Sequence, residues 1–348
     1  MSKPRMTILA LPILGVLVLL LFAVEITIVT AQTITGAETE EHKRGIELYR
    51  QGKYVEASKL LRKALKENKA DVEAWYFLGL TLIPQKKEIK EASKAFETAL
   101  TLRPKFAGAR AGLAYTFLIR NKTSEAAREA QTALSLDPNM ADAYYVIGVV
   151  RLRAGAREEA VQNADAAIKL NPTLAAAYLL KSQGLASFFG DVLVLNEKES
   201  PEDRKARYVE AAEALEKYLQ LNPDSENKLT WTEQFESLRV HGAGTLKSDG
   251  SERVYSGKEV TTKARVLSKP EPTYTESARA NQITGTVVLR AIFASDGTVK
   301  YILVVSGLPD GLTESAIRSA RRIKFSPATL NGRPVSMFIQ LEYNFNLY

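Results

Sequence analysis

The spacing of hydrophobic and polar positions divides this chain into four segments. Residues 1–31 contain one unbroken apolar run, and residues 38–240 repeat apolar and small positions with the period of amphipathic helices. Residues 241–263 lose that periodicity, and residues 264–348 contain short alternating runs bounded by Gly and Pro. From Met337 onward the alternation has a period of two, which predicts a strand buried on one face. The pattern therefore predicts a multidomain protein with a helical middle and a strand-containing end.

The apolar run at residues 7–24 is about 18 residues long and carries no charge. Its length lies between the core of a secretory signal peptide and a minimal membrane span. Basic Lys3 and Arg5 precede it, and Val29-Thr30-Ala31 offers small residues for signal cleavage. A cleaved signal peptide and a retained membrane anchor both remain open, and both place the rest of the chain outside the cytoplasm.

The middle segment is an internal repeat. Small residues recur after each turn with spacings of 35, 34, 34 and 51, so the period is 34 with one single-residue insertion and one of 17. These positions are Ala57, Ala92, Ala126, Ala160 and Ala211. In most units a Pro, which cannot continue a helix, ends the unit. Each unit is therefore expected to be a pair of antiparallel helices that stacks on the next pair.

The motifs EAWYFLGLTL and EEAVQNADAAIKLNPTLAAAY make this segment resemble tetratricopeptide repeats. The resemblance implies an all-α solenoid of five units over residues 38–224, closed by a solvating end helix at 227–240. The longer insertion lies in the fifth unit, where Ser200 and Pro201 predict a helix start.

Repeats of this family bind peptides in a groove lined by the first helix of each pair. Positions counted from the Gly or Ala of each unit give the predicted groove residues, which are Tyr49, Tyr76, Leu80, Tyr115, Leu118, Tyr145 and Val149. Their aromatic and aliphatic character favours an apolar or extended protein segment as the ligand. The alternative is that these side chains pack against the neighbouring repeat.

The closing segment predicts a small α+β domain beyond a flexible connection at residues 241–263. The predicted elements are a short helix at 276–281, strands at 285–294 and 298–306 joined by Asp296-Gly297, a helix from Thr313 and the closing strand. We expect one antiparallel sheet with helices on one face.

This segment resembles the TonB C-terminal domain, through Pro272, Tyr274, Ala278, Gly285-Thr286-Val287, Asp296-Gly297, Phe325, Pro327, Gly332 and Pro334. The resemblance implies a periplasmic module whose last strand captures an extended peptide of an outer-membrane transporter. The implied contact residues are Phe338, Gln340, Leu341, Glu342, Tyr343 and Asn344. Residues 336–348 contain one charge and no Pro, so the sequence does not protect this edge against pairing with another strand. The alternatives are that the strand is paired inside the sheet or in a homodimer.

The chain also departs from the TonB pattern. Thr275 replaces the usual Pro, Glu271 replaces a common Gln, and Phe325 replaces the usual Trp. The apolar segment contains no His, and the helical repeats replace the Pro-rich spacer of the family. Strand capture is compatible with these changes, whereas proton-coupled pulling loses its support.

Composition excludes several classes of function. The 348 residues include no Cys and two His, which removes disulfides, thiolate chemistry and most metal-ligand sets. The net charge of +7 is spread among interleaved acidic residues, which argues against nucleic acid as a partner. No phosphate-binding loop or nucleophile motif occurs in the sequence. We therefore expect a protein that is not an enzyme and needs no cofactor or metal.

These observations predict a protein-binding adaptor of the bacterial envelope, periplasmic and either anchored in the inner membrane or released after signal cleavage. Its repeat groove would bind one protein and its last strand another, such as a TonB-dependent transporter of the outer membrane. The alternative is a non-energised periplasmic scaffold or assembly factor that dimerises through its C-terminal domain.

Overall fold

The computed structural model describes residues 39–85, 88–186, 200–225, 227–247 and 252–347. They form two compact units, one from residues 39–152 with 159–180, and the other from residues 153–158 with 181–347. The predicted signal or anchor at residues 1–31 lies outside the described residues, as does most of the insertion in the fifth repeat. No described helix is long and apolar enough to span a membrane.

Antiparallel helices precede the first strand, as the repeat predicts. They are α1 (Glu40–Arg50), α2 (Tyr54–Glu67), α3 (Val72–Leu82), α4 (Ile89–Leu102), α5 (Ala107–Ile119), α6 (Thr123–Leu136), α7 (Ala141–Arg153), α8 (Arg157–Leu170), α9 (Ala175–Ala186), α10 (Pro201–Leu221) and α11 (Lys228–Ala243). The recurring Ala57, Ala92, Ala126 and Ala160 are completely buried, because each lies where two helices approach closely. The helix-pair repeat is thereby confirmed.

Phe96 on α4 sets the spacing of three helices in the first unit. A Cβ atom built on Gly79 of α3 would lie 2.6 Å from the Phe96 ring, and one on Gly112 of α5 would lie 2.5 Å from it. Phe96 itself has no exposed surface. Glycine at both positions therefore allows the aromatic ring to fill the space between the helices.

The second unit begins with a long helix pair. Ser200 caps α10 by accepting a hydrogen bond of 3.0 Å from the Asp203 amide, which confirms the predicted helix start. Tyr218 on α10 is fully buried and meets Trp231 of α11 edge-on, with ring centroids 6.3 Å apart. Helix α11 was predicted as a solvating end helix, but it buries one face, including Leu238, because the sheet described below packs against it.

The strands and the two remaining helices follow α11. They are β1 (Val254–Tyr255), β2 (Arg265–Ser268), α12 (Glu276–Ala280), β3 (Gly285–Phe293), β4 (Val299–Ser306), α13 (Leu312–Ala320), β5 (Lys324–Ser326), β6 (Ala328–Leu330) and β7 (Arg333–Phe345). The main sheet has the order β1-β7-β3-β4, with β6 also paired to β7, and β2 pairs with β5 in a separate ribbon. The β1–β7 pair is parallel and the other pairs are antiparallel. The predicted α+β class is confirmed.

The domain core lies between the sheet and its own helices α12 and α13. Ala278 of α12 and Ala316 of α13 are fully buried against Leu289 of β3 and Leu341 of β7. Helix α13 begins at Leu312, after Gly311, whose φ of 79° is left-handed, so the predicted start at Thr313 is one residue late. The Thr313 hydroxyl instead bonds the backbone of Leu308 at 2.8 Å.

Residues 241–263 differ from the predicted flexible connection. Helix α11 continues to Ala243, and Thr245 then forms a bridge with Arg253. Strand β1 pairs with β7, and Thr262 forms a bridge with Thr329. These pairings join residues far apart in sequence and are only one or two residues long, so they leave no periodic pattern to detect.

Candidate functional site

The outer edge of β4 is closed by side chains of α11. The Gln234 amide donates to the Ile302 carbonyl at 3.2 Å, and its oxygen accepts from the Val304 amide at 3.4 Å. Ser237 also donates to the Ile302 carbonyl, at 3.4 Å, and His241 Nε2 lies 3.1 Å from the Tyr301 carbonyl. These polar residues are spaced three and four positions apart, so they lie on one face of the helix. A helix that covers an edge removes the unpaired groups to which another strand would bind.

The His241 side chain lies between α11 and the face of the sheet that is opposite α12 and α13. It is 3% exposed, and its ring lies 5.3 Å from Phe338 of β7 and 5.7 Å from Tyr208 of α10. Burial lowers the pKa of His241 to about 4, although the bond to the Tyr301 carbonyl opposes this shift. The imidazole is therefore neutral at pH 7, with Nε2–H as the donor to Tyr301.

The outer edge of β7 is different. On its inner side β7 pairs with β3 continuously, from Phe293↔Met337 to Gly285↔Phe345. Strand β6 pairs with Arg333, Pro334 and Val335, and on the side away from β3 the strand β1 pairs with Ser336 and Met337, where the pairing ends. From Phe338 to Phe345 no other described strand pairs with that side of β7.

One contact fixes which backbone groups face outward. The Lys269 ammonium donates to the Glu342 carbonyl at 2.6 Å and lies 4.4 Å from the Tyr343 ring centroid. Because the N–H and C=O of one strand residue point to the same side, Phe338, Gln340, Glu342 and Asn344 direct their backbone groups away from β3. The alternate residues direct theirs toward β3.

The predicted edge residues therefore divide into two groups. Gln340, Glu342 and Asn344 expose their side chains, and Phe338 is half-buried against His241. Leu341 and Tyr343 are 5% and 1% exposed and belong to the core. The expectation that those two side chains contact a ligand needs correction, because the period of two turns them toward α12 and α13.

Tyr343 has a further peculiarity. Its hydroxyl is buried and has no hydrogen-bond partner among the described residues. Burial, with a smaller effect of the Glu271 charge, raises the pKa of Tyr343 to about 12. The phenol is therefore neutral and acts mainly as a packing group.

Most of the predicted groove residues are buried in the repeat region. Tyr49 and Tyr76 are each 7% exposed, Tyr115 is 6% exposed, and Leu80 and Leu118 are buried still further. Tyr145 and Val149 are half-buried and pack against the cluster formed by Ala160, Ala164 and Leu180. This arrangement favours the alternative that much of the set packs against neighbouring repeats.

Asp142, in the first turn of α7, is an acidic residue outside the predicted groove set. Its side chain is half-buried. Burial raises the pKa of Asp142 to about 7. The available sequence signal was that Asp142 lies three residues before Tyr145, and therefore on the same face of a first helix.

The charge of Asp142 also reaches three tyrosines on other helices. Burial raises the pKa of the Tyr49, Tyr76 and Tyr115 phenols, and the nearby Asp142 carboxylate adds to the shift in each. These tyrosines lie on α1, α3 and α5, which are the first helices of successive pairs. Within the described ranges, no group of three or more His, Asp or Glu side chains could hold a metal ion.

Comparisons with known families agree with this architecture. The model described as Gram-negative bacterial TonB protein C-terminal matches residues 270–347, and a tetratricopeptide repeat model matches residues 42–107 and 112–175. Both families are of binding or scaffold type, and the TonB family is associated with the cell envelope. No curated protein matches the chain.

Several solved structures are similar to the chain. A thermophilic repeat protein of Thermus thermophilus is 22% identical, and the match covers 59% of this chain and all of that one, with a TM-score of 0.43. PilF of Pseudomonas aeruginosa is 17% identical over 58% of this chain and 85% of its own, with a TM-score of 0.42. MamA of Desulfovibrio magneticus is 20% identical over 55% of this chain and 99% of its own, with a TM-score of 0.38. The family matches, together with the helix pairs and the sheet, identify this chain as a tetratricopeptide-repeat region joined to a TonB-family C-terminal domain.

Proposed function

We propose that this protein is a cell-envelope adaptor that captures an extended peptide as an additional strand on the outer side of β7. One observation carries the proposal: the two edges of the sheet differ in whether their backbone groups have partners. Side chains of α11 bond the outer backbone groups of β4, whereas β7 has no strand partner there from Phe338 to Phe345 within the described chain. A fold that merely avoided edge-to-edge association would blunt both edges.

The proposed complex combines backbone affinity with side-chain selectivity. Main-chain groups of Phe338, Gln340, Glu342 and Asn344 bond the incoming strand, since these residues face away from β3. The exposed side chains of Gln340, Glu342 and Asn344 then select the ligand sequence. On binding, an amide of the ligand replaces the Lys269 ammonium as the donor to the Glu342 carbonyl.

The proposed partner is an extended segment of an envelope protein. An outer-membrane TonB-dependent transporter is the first candidate because the domain belongs to the TonB family. A second protein is proposed to bind the repeat region, as tetratricopeptide repeats bind peptides and proteins. We also propose that residues 1–31 direct the chain to the periplasm, and mass spectrometry of the mature N-terminus distinguishes cleavage after Ala31 from retention as an anchor.

The test uses photo-crosslinking of the full chain in cells. A benzophenone side chain is placed in turn at positions 340, 342 and 344, and the crosslinked peptides are sequenced by mass spectrometry. Strand addition predicts that the three positions label one partner segment in steps of two residues. Replacing Gln340 by Pro removes an outward N–H and should abolish labelling from positions 342 and 344, whereas Gln340→Ala keeps that N–H and should preserve it.

Three results decide between the candidate functions. Labelling in two-residue steps on a foreign protein supports capture, and labelling of β7 in a second copy supports the homodimeric scaffold instead. Absence of labelling, or equal labelling by the Pro and Ala variants, would overturn strand addition.

A further inference from the structure

The β2–β5 ribbon exposes two aliphatic side chains that are neighbours in sequence. Val266 is 43% exposed and Leu267 is 58% exposed, and no other two exposed large hydrophobic residues of the described chain are adjacent. The pairing of β2 with β5 skips Leu267, which is therefore the extra residue of a β-bulge. The ribbon is separate from the main sheet, and every residue of β2 is exposed. Aliphatic side chains placed side by side in water are typical of an interaction surface.

Basic side chains accompany these two residues, and acidic ones are missing. Residues 260–270 and 315–326, which the ribbon brings together, contain no Asp or Glu. They contain seven exposed basic residues, which are Lys263, Arg265, Lys269, Arg318, Arg321, Arg322 and Lys324. Glu271 and Glu314 lie just outside the two ranges and leave a clear excess of positive charge.

The pairing of the ribbon directs two of these cations away from the core. Phe325 is buried, so Lys324 and Ser326 on either side of it face outward. Arg265 pairs with Ser326 and therefore shares the outward face, since paired residues of antiparallel strands lie on the same side. The positive charge thus lies on the same strands as Val266 and Leu267.

Most of this charge is available to a partner. Arg321 forms an ion pair with Glu233, at 3.0 Å. The other six basic residues form no ion pair with any residue that the structure describes. These six residues, together with Val266 and Leu267, are termed the basic ribbon surface.

We propose that the basic ribbon surface docks onto an anionic phospholipid bilayer. Val266 and Leu267 enter the interfacial layer, and the surrounding Lys and Arg side chains bind headgroup phosphates. Cations beside exposed aliphatic groups suit this occupant, because an acidic protein segment would pair with the cations and leave both aliphatic side chains in water. The inference goes beyond strand capture and does not depend on it, since β2 and β5 are outside the sheet that contains β7.

The test uses a fluorescent label at the bulge. The chain contains no Cys, so Leu267→Cys introduces a single site for an environment-sensitive fluorophore. The labelled full chain is incorporated into nanodiscs of phosphatidylcholine, with or without phosphatidylglycerol. Docking predicts a blue shift of the emission and quenching by spin-labelled lipid in the anionic nanodiscs only, and high salt should reverse both effects. A label on Leu229→Cys, at a 75% exposed position of α11, should respond in neither nanodisc.

Two double variants test the role of the charges. Arg265→Gln with Lys324→Gln removes two cations of the surface and should abolish the blue shift of the label at position 267. Arg239→Gln with Arg321→Gln removes two cations that are ion-paired with Glu236 and Glu233, and should preserve it. Circular dichroism of each variant excludes unfolding as the cause of a loss.

Several results would overturn the proposal. They are the absence of a shift, an equal shift in both kinds of nanodisc, and equal effects of the two double variants. A shift that appears without lipid as the protein concentration rises would assign the surface to a second copy of the chain. A shift that polyglutamate produces and anionic nanodiscs do not would assign it to an acidic protein segment.

Discussion

The side-chain amide of Gln234 on α11 donates a hydrogen bond of 3.2 Å to the main-chain carbonyl of Ile302 on β4. The same carboxamide accepts from the Val304 amide, at 3.4 Å. A carboxamide carries one acceptor and two donors, so Gln234 occupies the edge in the manner of a peptide group in a neighbouring strand. The end of the helical region thereby closes one side of the TonB-type sheet.

Removal of this contact should destabilise the second unit. Gln234→Leu leaves the Ile302 carbonyl and the Val304 amide without their side-chain partner, which is expected to cost about 1–3 kcal/mol in the free energy of unfolding. Urea denaturation of the full chain measures the change. Gln131→Leu, at an exposed position on α6, serves as the control and should alter stability by less than about 0.5 kcal/mol. Equal effects of the two substitutions would contradict the role of Gln234 at the β4 edge.

His241 should make stability fall at acidic pH. Its pKa is lowered from 6.5 to about 4 in the folded protein, so the folded state resists protonation. The contribution to stability is complete above pH 6.5 and is lost as the pH falls from 6.5 toward 4, by about 3 kcal/mol in total. His241→Gln should flatten this part of the profile, as measured by unfolding at several pH values. An unchanged slope in the variant would contradict a neutral, buried His241.

Asp142, in the first unit, should change stability with pH in the opposite direction to His241. Its pKa is raised from 3.8 to about 7, so ionisation weakens the folded state as the pH rises through that interval. The neighbouring Tyr49, Tyr76 and Tyr115 have raised pKa values and remain neutral throughout. Asp142→Asn should therefore stabilise the free protein at pH 8, on the order of 2 kcal/mol after allowance for solvent access.

Thermal unfolding at pH 5 and pH 8 checks this expectation. The gain from Asp142→Asn should be larger at pH 8 than at pH 5. A variant that is less stable than wild type at pH 8 would indicate an unrecognised partner for the carboxylate.

The packing around Phe96 gives a test of the repeat core. Gly112→Ala places a methyl group 2.5 Å from the Phe96 ring, and overpacking of this kind costs about 1–3 kcal/mol. Phe96→Leu should relieve the clash, so the double variant should be more stable than the sum of the two single changes predicts. Urea unfolding of the four proteins measures this coupling, and strict additivity would contradict the proposed contact.

Local patterns predicted the elements of both regions well. The 34-residue period located the helix pairs, since each pair must place small residues where it meets the next. Asp296-Gly297 located the β3–β4 hairpin, where Gly297 has the left-handed φ of 82° that such a turn requires. The alternation after Met337 also predicted which face of β7 is buried, although the residues named as ligand contacts included Leu341 and Tyr343 from that buried face.

The sequence by itself determined the helix pairs, the β3–β4 hairpin and the closing strand, because these elements follow from periodicity and turn residues within a few positions. The short strands β1, β2, β5 and β6 were not predicted. Only the tertiary structure decided which partners the sheet edges and the polar side chains have. Gln234 meets Ile302 across 68 positions of sequence, and Thr262 meets Thr329 through a single bridge. Asp142 is likewise an ordinary helix-start acid in the sequence, and only the fold makes it half-buried. Contacts between distant residues carry no repeating signature, so the fold was needed to locate the closed edge, the open edge and the half-buried carboxylate.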